Sequence, residues 1–413
     1  MPDVRRIAER LEALWRIRRG PGGGADRAAF SAAEAKAMRL VADWAAELGL
    51  EPGIDAHGNL WALPPGWSGP VVTAGSHVDT VPDGGRYDGA LGTVLGLEMV
   101  ADLADPDPRA GGAEGEEARP GALICAAEEA PRFGAGTIGS RLLVGTLAPA
   151  DLEELRDGTG VSAAEALHEY LERLSALPRV EPPLARMRAH AEVHVAQRRA
   201  LRRLGVVSTV AAPRRYSVTI RGQSGHAGEM AMEERRDALA AAAEVVLAVE
   251  AAARAEPAET VATVGTIAVS PGAVSVIPGE ARLGIDVRGI SSASVAAFDG
   301  AVRAAIAEIA RHRGVRAEVT LRRAGEPVAM DAELVVAALA AARRLGVPAT
   351  QTWSGAGHDA QHLAAIAPTL LLFVPLQGGE SHTPQEGAEM SEIVQAAEVT
   401  ASVLRGAIHL ARP

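Results

Sequence analysis

The chain has almost no cysteine and few aromatic residues. Its 413 residues include one cysteine, Cys125, so no disulfide can form within the chain. A free cysteine in an apolar run such as ALICAA packs as a small hydrophobic side chain, and we expect Cys125 in the core of a protein suited to a reducing compartment. Aromatic residues make up 3% of the chain, so alanine, leucine and valine must fill most of that core.

The chain also lacks an excess of positive charge and any long apolar run. Its formal net charge of -11 argues against a surface for nucleic acid or for anionic lipid. No stretch approaches the roughly 18 uncharged apolar residues that a transmembrane helix needs. The first residues, MPDVRRIAERLEALWRIRR, are charged throughout and do not resemble a signal peptide. We expect a cytoplasmic protein with a small-molecule ligand and with no nucleic-acid or membrane partner.

The length and the hydrophobic patterns predict an α/β fold in two domains. A chain of 413 residues exceeds the usual size of one core. Strand and helix patterns alternate in residues 1–207 and 326–413, which predicts one domain with a mixed sheet layered between helices, an α/β/α arrangement. Its predicted helices are 3–19, 31–48, 90–104, 331–346, one from about 358 and 392–411, with a mixed helical region over about 134–176. Its predicted strands are 59–63, 70–75, 121–127, 189–196 and 368–374. The polar segment 105–120 is expected to be an exposed loop.

The middle of the chain, residues 208–325, has a different pattern and predicts an inserted second domain. Its predicted strands are 214–222, 261–269, 280–288 and 316–323, and its predicted helices are 232–254 and 292–313. The resulting order, βαββαβ, is the ferredoxin-like plan of a four-stranded antiparallel sheet with two helices.

The segment TAGSHVDTVPDGGRYDGALG, residues 73–92, follows a predicted strand and carries side chains suited to metal binding. Open α/β sheets place their ligand sites beyond the carboxyl ends of strands, where these residues fall. His77 can offer an imidazole nitrogen to a metal, and Asp79 can accept the other ring N–H and fix the tautomer. Asp88 has two carboxylate oxygens and can bridge two cations.

Three further groups follow predicted strands of the same sheet. Glu128 and Glu129 are adjacent carboxylates at a buried strand end, which is costly unless cations pair with them. His194 in AEVHVAQ and His382 in GGESHTPQE complete the set. Histidine and carboxylate ligands without thiolates suit zinc, manganese, cobalt or nickel. A lone histidine is more often structural, and we assign that role to His57, His168, His190, His312, His362 and His409.

The order of the motifs resembles a known enzyme family. The motifs are GSHVDT, GGRYDGALG, EEAPRFG, EVHVAQ, GHAGEMAMEERRDAL, PGAVSVIPGEARLGIDVRG, SGAGHDAQHL and GGESHTP, from about residue 35 to 410. They resemble the bimetal amidohydrolases that include N-carbamoyl-L-amino-acid hydrolases, β-ureidopropionases and allantoate amidohydrolases. Aminoacylases and carboxypeptidases of the same superfamily are more distant relatives. The resemblance implies two divalent ions per chain, with zinc as the first choice and manganese, cobalt and nickel as alternatives.

The resemblance also implies a metal-binding role for each matching ligand. His77, Asp88 and His194 would hold one ion, whereas Asp88, Glu129 and His382 would hold the other, so that Asp88 bridges the two.

Catalytic and substrate-binding roles follow from the same resemblance. Glu128 would be the general base and acid toward a hydroxide held between the ions, and Asp79 would orient His77. His226, from the inserted domain, would stabilise the developing oxyanion in its own or the neighbouring subunit of a homodimer formed through that domain. The inserted domain would thus act as a lid and dimerisation domain on the catalytic one. The implied substrate-binding residues are Gln197, Arg288, Ser275, Gly357 and His358.

The departures from the family pattern fall on the substrate side. Where the family commonly reads HIEQG, this chain has Ala196 in place of Glu and Arg198 in place of Gly. In PGAVSVIPG, Ser275 replaces an Asn that helps to hold the substrate carboxylate. The metal ligands and Glu128 all match, so hydrolysis is expected to persist while the usual carbamoyl amino acid is open to question.

Three functions are therefore considered. The first is a metal-dependent amidohydrolase that cleaves a linear amide or ureido C–N bond of a small carboxylate-bearing substrate, with an N-carbamoyl amino acid or ureido acid as the first candidate. The second is an aminoacylase or small-peptide metallopeptidase with a non-ureido substrate, for example in a specialised biosynthetic pathway. The third is a relative that binds a ligand without catalysis.

Overall fold

A computed structural model describes residues 2–104 and 117–409 of the chain. The helices in these ranges are α1 (Val4–Trp15), α2 (Ala32–Glu47), α3 (Ala90–Ala104), α4 (Ile138–Leu143), α5 (Ala163–Arg173), α6 (Ala238–Ala255), α7 (Ser292–His312), α8 (Ala332–Leu345), α9 (Asp359–Leu363) and α10 (Met390–His409). The strands are β1 (Glu51–Ile54), β2 (Leu60–Leu63), β3 (Val71–Ala74), β4 (Arg119–Ile124), β5 (Met187–Val195), β6 (Leu204–Val210), β7 (Arg214–Arg221), β8 (Gly225–His226), β9 (Val261–Ser270), β10 (Val276–Ile277), β11 (Glu280–Arg288), β12 (Arg316–Ala324), β13 (Val328–Ala329), β14 (Ala349–Ser354) and β15 (Thr369–Val374). Most of the predicted loop 105–120 lies outside the described residues.

The chain divides into two compact units. Unit 1 comprises Met1–Ser208, Ala329–Trp353 and Gly357–Pro413, and unit 2 comprises Thr209–Val328 and Ser354–Ala356.

A large mixed sheet forms the centre of unit 1, as the sequence predicted. Its strand order is β1-β2-β4-β3-β5-β15-β6-β13, with β14 paired to β6. The four neighbours β4, β3, β5 and β15 run parallel, whereas β1, β2 and β6 pair antiparallel. β5 and β15 are buried along almost their whole length. Burial on both faces explains the continuous apolar sequence of β15, whereas β5 carries His190, Glu192 and His194 into the same interior. The four parallel strands place their carboxyl ends at one edge of the sheet, and the loops that leave this edge carry the site.

Unit 2 contains the smaller sheet, with the antiparallel order β12-β7-β11-β9. Alternate residues of β7 and β11 are buried because one face of the sheet packs on α6 and α7. β9 is an edge strand and is mostly exposed. Asp237 caps α6 by accepting from the backbone N–H groups of Leu239 and Ala240, so this helix begins six residues later than predicted.

The sequence missed four strands of the larger sheet, and it placed Cys125 correctly. β1, β6, β13 and β14 were not predicted, and β1 has the sequence EPGI, whose proline and glycine disfavour a strand. Cys125 is buried beside Trp61 and Leu123 in a core cluster. Among the described residues, no helix combines the length and apolar character needed to span a membrane. A cytoplasmic location stays a prediction.

Candidate metal centre

The carboxyl edge of the parallel strands brings the predicted metal ligands together. His77 follows β3, Glu129 follows β4, His194 is the penultimate residue of β5, and His382 follows β15. Asp88 lies two residues before α3 and points into the same space. All but His382 have buried side chains, and His382 is 44% exposed.

Two groups of three side chains share Asp88. In the first group, Asp88 Oδ1 lies 3.1 Å from His194 Nε2 and 3.7 Å from His77 Nε2. In the second, Asp88 Oδ2 lies 3.0 Å from His382 Nε2, which is 3.5 Å from Glu129 Oε1. The possible ligand atoms within each group all lie within 4.8 Å of one another. Each Asp88 oxygen therefore faces a different group, which is the arrangement that a bridging carboxylate requires.

The imidazole rings of the first group are oriented to bind a cation rather than to hydrogen-bond to each other. His77 Nδ1 lies 3.2 Å from the Asp79 carbonyl oxygen and 3.3 Å from its carboxylate, and His194 Nδ1 lies 3.1 Å from the Val195 carbonyl. Because these acceptors favour N–H at Nδ1, each ring in its neutral form presents a bare Nε2 lone pair. Burial alone would lower the pKa of both rings, but Glu128 beside His77 and Asp88 beside His194 raise it, so the cluster favours positive charge at Nε2. The two Nε2 atoms are 3.3 Å apart and face Asp88 as well. A bound cation would relieve this repulsion.

The charges of the cluster lead to the same conclusion. Burial raises the pKa of Glu128 well above its ordinary value and that of Glu129 to about 7. Burial alone would also raise the pKa of Asp88, but His194 and His382 hold it well below its usual range. The hydrogen bond that His382 donates to Asp88 raises the pKa of His382 to about 9. Carboxylates so removed from water require positive partners, and the donor set, with no thiolate, suits divalent metal ions.

The predicted base, Glu128, lies on a turn that two buried carboxylates hold. Asp79 accepts the backbone N–H of Glu128 through Oδ1 at 3.1 Å and that of Glu129 through Oδ2 at 2.9 Å. Glu34, from the first turn of α2, accepts the N–H of Ala127 at 2.9 Å. Ala127 has a φ of 54°, a left-handed conformation that these contacts stabilise. Glu128 Oε2 is 3.8 Å from His77 Nε2, so the base borders the first group.

The predicted substrate residues of unit 1 lie beside the metal ligands. Gln197 places Nε2 3.4 Å from Asp88 Oδ2 and 3.2 Å from His382 Nε2. His358 is buried, and its ring meets that of His194 edge-on with centroids 4.5 Å apart. Burial holds the pKa of His358 well below its ordinary value, so the ring is neutral. Gly357 precedes it in the chain and is half-buried.

Two of the histidines assigned structural roles are partly or fully buried and bonded away from the site. His190 contacts the Thr73 hydroxyl at 2.9 Å through Nδ1, and His362 contacts the Thr137 hydroxyl at 2.9 Å. Burial lowers the pKa of His190 to about 3. The side chain of His409 lies outside the described part of the chain.

Unit 2 carries three further predicted residues and places two of them together. β8 pairs with β10 so that His226 lies opposite Val276, and Ala227 N–H donates to the carbonyl of Ser275 at 2.9 Å. Both His226 and Ser275 are exposed.

Arg288 lies elsewhere in unit 2. It is the last residue of β11, and its guanidinium donates to Asp286 Oδ1 and to the Gly355 carbonyl, both at 2.9 Å. β11 has nine residues and spans roughly 26 Å, and β10 precedes its other end. The pair on β8 and β10 and the guanidinium on β11 are therefore at opposite ends of this strand.

Several buried carboxylates of the site were not predicted from the sequence. Besides Glu34, these are Glu192 and Glu386. Glu192 accepts from the Ser76 hydroxyl at 2.7 Å and from Ala360 N–H at 2.8 Å, beside His194. Glu386 accepts from backbone groups next to Asp88. Glu386 follows His382 by four residues, which was the one available sequence signal, whereas nothing in the sequence connects Glu34 with the turn at 127–129.

Comparisons with known proteins agree with this site. Residues 73–406 match the family model described as Peptidase family M20/M25/M40. An N-carbamoyl-L-amino acid amidohydrolase of Geobacillus stearothermophilus is 35% identical over 402 residues, covering 95% of this chain and 96% of that protein. An allantoate amidohydrolase of Bacillus subtilis is 32% identical over 397 residues, covering 92% of each. The crystal structure of an amidase of the hydantoinase/carbamoylase family from Burkholderia phymatum has a TM-score of 0.85 at 32% identity, covering 99% of both chains.

These similarities confirm the resemblance inferred from the motifs and the predicted enzyme class, a hydrolase of carbon–nitrogen bonds. The family model covers most of the chain, including every predicted metal ligand from His77 to His382. The chain belongs to peptidase family M20/M25/M40.

Proposed function

We propose that the chain is a two-metal amidohydrolase that cleaves a linear C–N bond of a small carboxylate-bearing ureido compound. An N-carbamoyl amino acid or a ureido acid is the first candidate substrate. The observation that carries the proposal is the pair of groups that share Asp88, with Glu128 at their border. Zinc is the first candidate for both ions, and manganese, cobalt and nickel are alternatives that the same donors accept.

Each residue of the proposed site has a separate role in the reaction. When bound, the two ions would polarise the scissile carbonyl and lower the pKa of a water molecule in the site. Glu128 takes the proton of the attacking water and then delivers it to the leaving nitrogen, so that the protons balance. Asp79 keeps Glu128 and Glu129 at fixed positions through their backbone N–H groups. Gln197 stands beside the second group, where its amide can contact the ureido end of the substrate.

A Glu128→Gln variant tests the role of the base. Glutamine keeps the shape of the side chain but cannot accept the proton of water. We expect two metal ions per chain and a fall in kcat of about 10²–10⁴-fold on the best substrate. Near-normal turnover by this variant would reject the assigned role. Fewer than about one ion per wild-type chain after reconstitution would instead favour the non-catalytic relative.

A substrate panel tests the bond that is cleaved. The named activities of the relatives, on N-carbamoyl-L-amino acids and on allantoate, support ureido substrates for this chain. N-carbamoyl amino acids, allantoate, N-acetyl amino acids and dipeptides should be compared with zinc, manganese, cobalt and nickel. We expect the highest kcat/KM with a ureido compound, and a clear preference for the acyl or peptide set would reject this substrate class.

The second candidate, an aminoacylase or small-peptide metallopeptidase, is favoured by one observation on the substrate side. Arg198 follows Gln197 and stacks its guanidinium over Trp353, 4.4 Å from the ring centroid. A large cation therefore directly follows Gln197, at a position where the family pattern has glycine. Ser275 also offers a hydroxyl in place of a carboxamide. Both changes fit a substrate of different size or charge, and the same panel decides between the two candidates.

We also propose that the enzyme is a homodimer in which unit 2 of one subunit completes the site of its partner. His226 and Arg288 lie at opposite ends of β11, too far apart for one small substrate to contact both in the same unit. The edge strand β9 exposes Val261 and Ile267, at 48% and 49%, and α6 exposes Leu247 at 65%. An exposed apolar edge strand favours pairing with a second copy.

Subunit complementation tests this arrangement. His226→Ala and Arg288→Ala homodimers should each be nearly inactive, because every site lacks one group. Mixing the two after mild dissociation should restore activity, since a mixed dimer contains one site with both groups intact. No recovery in verified mixed dimers would place His226 and Arg288 in the same subunit's site, and a monomer in solution would reject the dimer.

A further inference from the structure

Glu386 is a buried carboxylate that none of the assigned roles uses. It lies four residues beyond His382 and is 6% exposed. Its Oε1 accepts the backbone N–H of Tyr87 at 2.7 Å and that of Asp88 at 3.0 Å. Its Oε2 lies 3.0 Å from the hydroxyl of Ser381. One carboxylate thus joins the loop that carries the bridging ligand to the loop that carries the last ligand.

The loop before α3 is shaped to admit this carboxylate. A Cβ atom added to Gly85 would overlap the Glu386 carboxyl group, so only glycine allows the two to approach this closely. The φ of Gly85 lies outside the left-handed region, and the requirement is therefore one of space rather than of backbone conformation. The close approach of Gly85 and Glu386 can therefore be tested by substituting either residue.

The serine next to His382 extends the connection to the metal ligands. The Ser381 hydroxyl lies 3.1 Å from Asp88 Oδ2, the same oxygen that faces His382. His382 has a φ of 59°, which a non-glycine residue adopts at a cost of the order of 1–3 kcal/mol unless its surroundings hold it. Its side chain is also the most exposed of the ligands. This ligand therefore depends on its loop for its position.

We propose that Glu386 is a positioning residue that sets the affinity of the second metal site, formed by Asp88, Glu129 and His382. It does so by fixing the backbone of Asp88 against the loop that carries His382. The inference rests on the two-metal site proposed above and adds a residue whose effect falls mainly on one of the two ions.

The first site should depend much less on Glu386. His77 is held by Asp79 at its ring and by Thr93, whose hydroxyl donates to the His77 carbonyl at 2.8 Å. His194 is part of β5, which pairs along its length with β15. Neither contact involves the loop 381–386. Removal of Glu386 therefore leaves two of the three ligands of the first site in place, whereas the second site loses the alignment of both Asp88 and His382.

Four variants separate positioning from general stability. Glu386→Ala removes all three contacts. Glu386→Gln keeps an Oε1 acceptor for both backbone N–H groups and places an amide donor near Ser381. Gly85→Ala leaves Glu386 in the chain but displaces its carboxylate. Glu98→Ala is the matched control, because Glu98 is 1% exposed, accepts from Arg6 at 2.6 Å and 2.7 Å, and contacts no metal ligand in the described part of the chain.

The experiment titrates metal-free enzyme with zinc or manganese by calorimetry, with thermal melting in parallel. We expect wild type and Glu98→Ala to bind two ions with matching affinities, although Glu98→Ala melts at a lower temperature. Glu386→Ala and Gly85→Ala should bind one ion nearly as wild type and the second with a Kd raised about 10–100-fold. Glu386→Gln should recover most of that loss.

Each result decides the inference. Two ions bound with wild-type affinity by both Glu386→Ala and Gly85→Ala would overturn it, as would equal weakening of both sites. Should Glu386→Ala fail to fold, Gly85→Ala and Glu386→Gln still give opposite expected results. A wild-type stoichiometry below two ions would overturn the proposed ligand set itself, which is a separate outcome from a change seen only in the Glu386 variants.

Discussion

The edge of the larger sheet carries the candidate metal ligands, whereas unit 2 carries three of the predicted substrate and catalytic residues, and the two regions are built differently. At the sheet edge, His77, Asp88 and Glu129 are buried, and their neighbours Asp79 and Glu386 accept hydrogen bonds from the loop backbones. In unit 2, His226 and Ser275 are exposed on or beside a two-residue strand pair, and Arg288 is half-buried at the end of β11.

This difference explains where the chain departs from its family. A buried polar group that loses its partner costs about 1–3 kcal/mol, and several such groups fail together when one is changed. An exposed side chain that contacts only substrate has no such penalty. The metal ligands therefore tolerate few changes, while Ser275 and Arg198 can differ from relatives without loss of the fold. In the proposed function, the sheet edge therefore supplies the chemistry, and the substrate residues can change more freely.

The largest loss of metal binding and activity is expected from Asp88→Asn, a change at the edge of the larger sheet. Asparagine has one carbonyl oxygen and no negative charge, so it cannot serve both groups. We expect fewer than two ions per chain and a loss in kcat/KM of at least about 10³-fold, equivalent to about 4 kcal/mol of transition-state stabilisation. Metal analysis and steady-state kinetics measure both. Two tightly bound ions in this variant would show that Asp88 does not bridge.

Asp79→Asn should have the next largest effect, although Asp79 belongs to neither group of metal ligands. Its two oxygens accept from Glu128 N–H and Glu129 N–H, and an asparagine amide would place an N–H donor against one of them. We expect kcat to fall about 10²-fold with the fold intact, because the turn that carries the base shifts. Circular dichroism, metal content and kcat together test this, and unchanged kcat would reject the positional role.

The cluster of candidate metal ligands could be predicted from the sequence, but the residues that support it could not. His77, Glu129, His194 and His382 each follow or end a strand with a clear apolar pattern, and their residue types are those that bind metals. Glu386 and Glu34 act on backbone N–H groups, which leave no mark in the sequence of their partners. Their importance depends on which loops the fold brings together.

The missed strands have a similar explanation. β1 contains a proline and a glycine, and β6 (LGVVSTV) and β14 (ATQTWS) are short runs whose pattern is weak without knowledge of their partners. β14 pairs with β6 beside the parallel core, so pairing rather than local propensity makes them strands. The bounds of β11 were predicted as they are observed, from Glu280 to Arg288. That the β8/β10 pair and Arg288 lie at opposite ends of this strand could be seen only in the structure.

A smaller effect is expected from Arg198→Gln, which changes a substrate-side residue of unit 1. The guanidinium stacks on Trp353 in an exposed position, where a cation–π contact or an exposed ion pair contributes about 0.5–1 kcal/mol. For substrates with a second carboxylate we expect KM to rise about 2–5-fold with kcat within twofold. Arg199→Gln, which removes a cation paired with Glu380, is the control. A loss of kcat as large as that expected for Asp79→Asn would contradict a role of Arg198 in substrate binding alone.

The last effect is on stability rather than activity and concerns His190, a buried histidine of β5 that binds no metal in the proposed site. Burial lowers its pKa to about 3, whereas an unfolded chain restores the ordinary value of 6.5. The unfolded state therefore takes up a proton that the folded state refuses as the pH falls below about 6.5, so stability present above that pH is lost toward pH 3. The slope contributed by one such group is at most about 1.4 kcal/mol per pH unit.

His190→Gln removes this titration while keeping a polar contact for the Thr73 hydroxyl. Because acid also releases bound metal, the comparison uses metal-free protein, unfolded by urea at pH 6.5, 5.5 and 4.5. The wild type should lose about 1 kcal/mol more per pH unit than the variant over this range. Parallel slopes would mean that His190 is protonated in the folded state. The interior of the sheet would then accommodate a charge, and burial would not be what makes the metal half of the site intolerant of change.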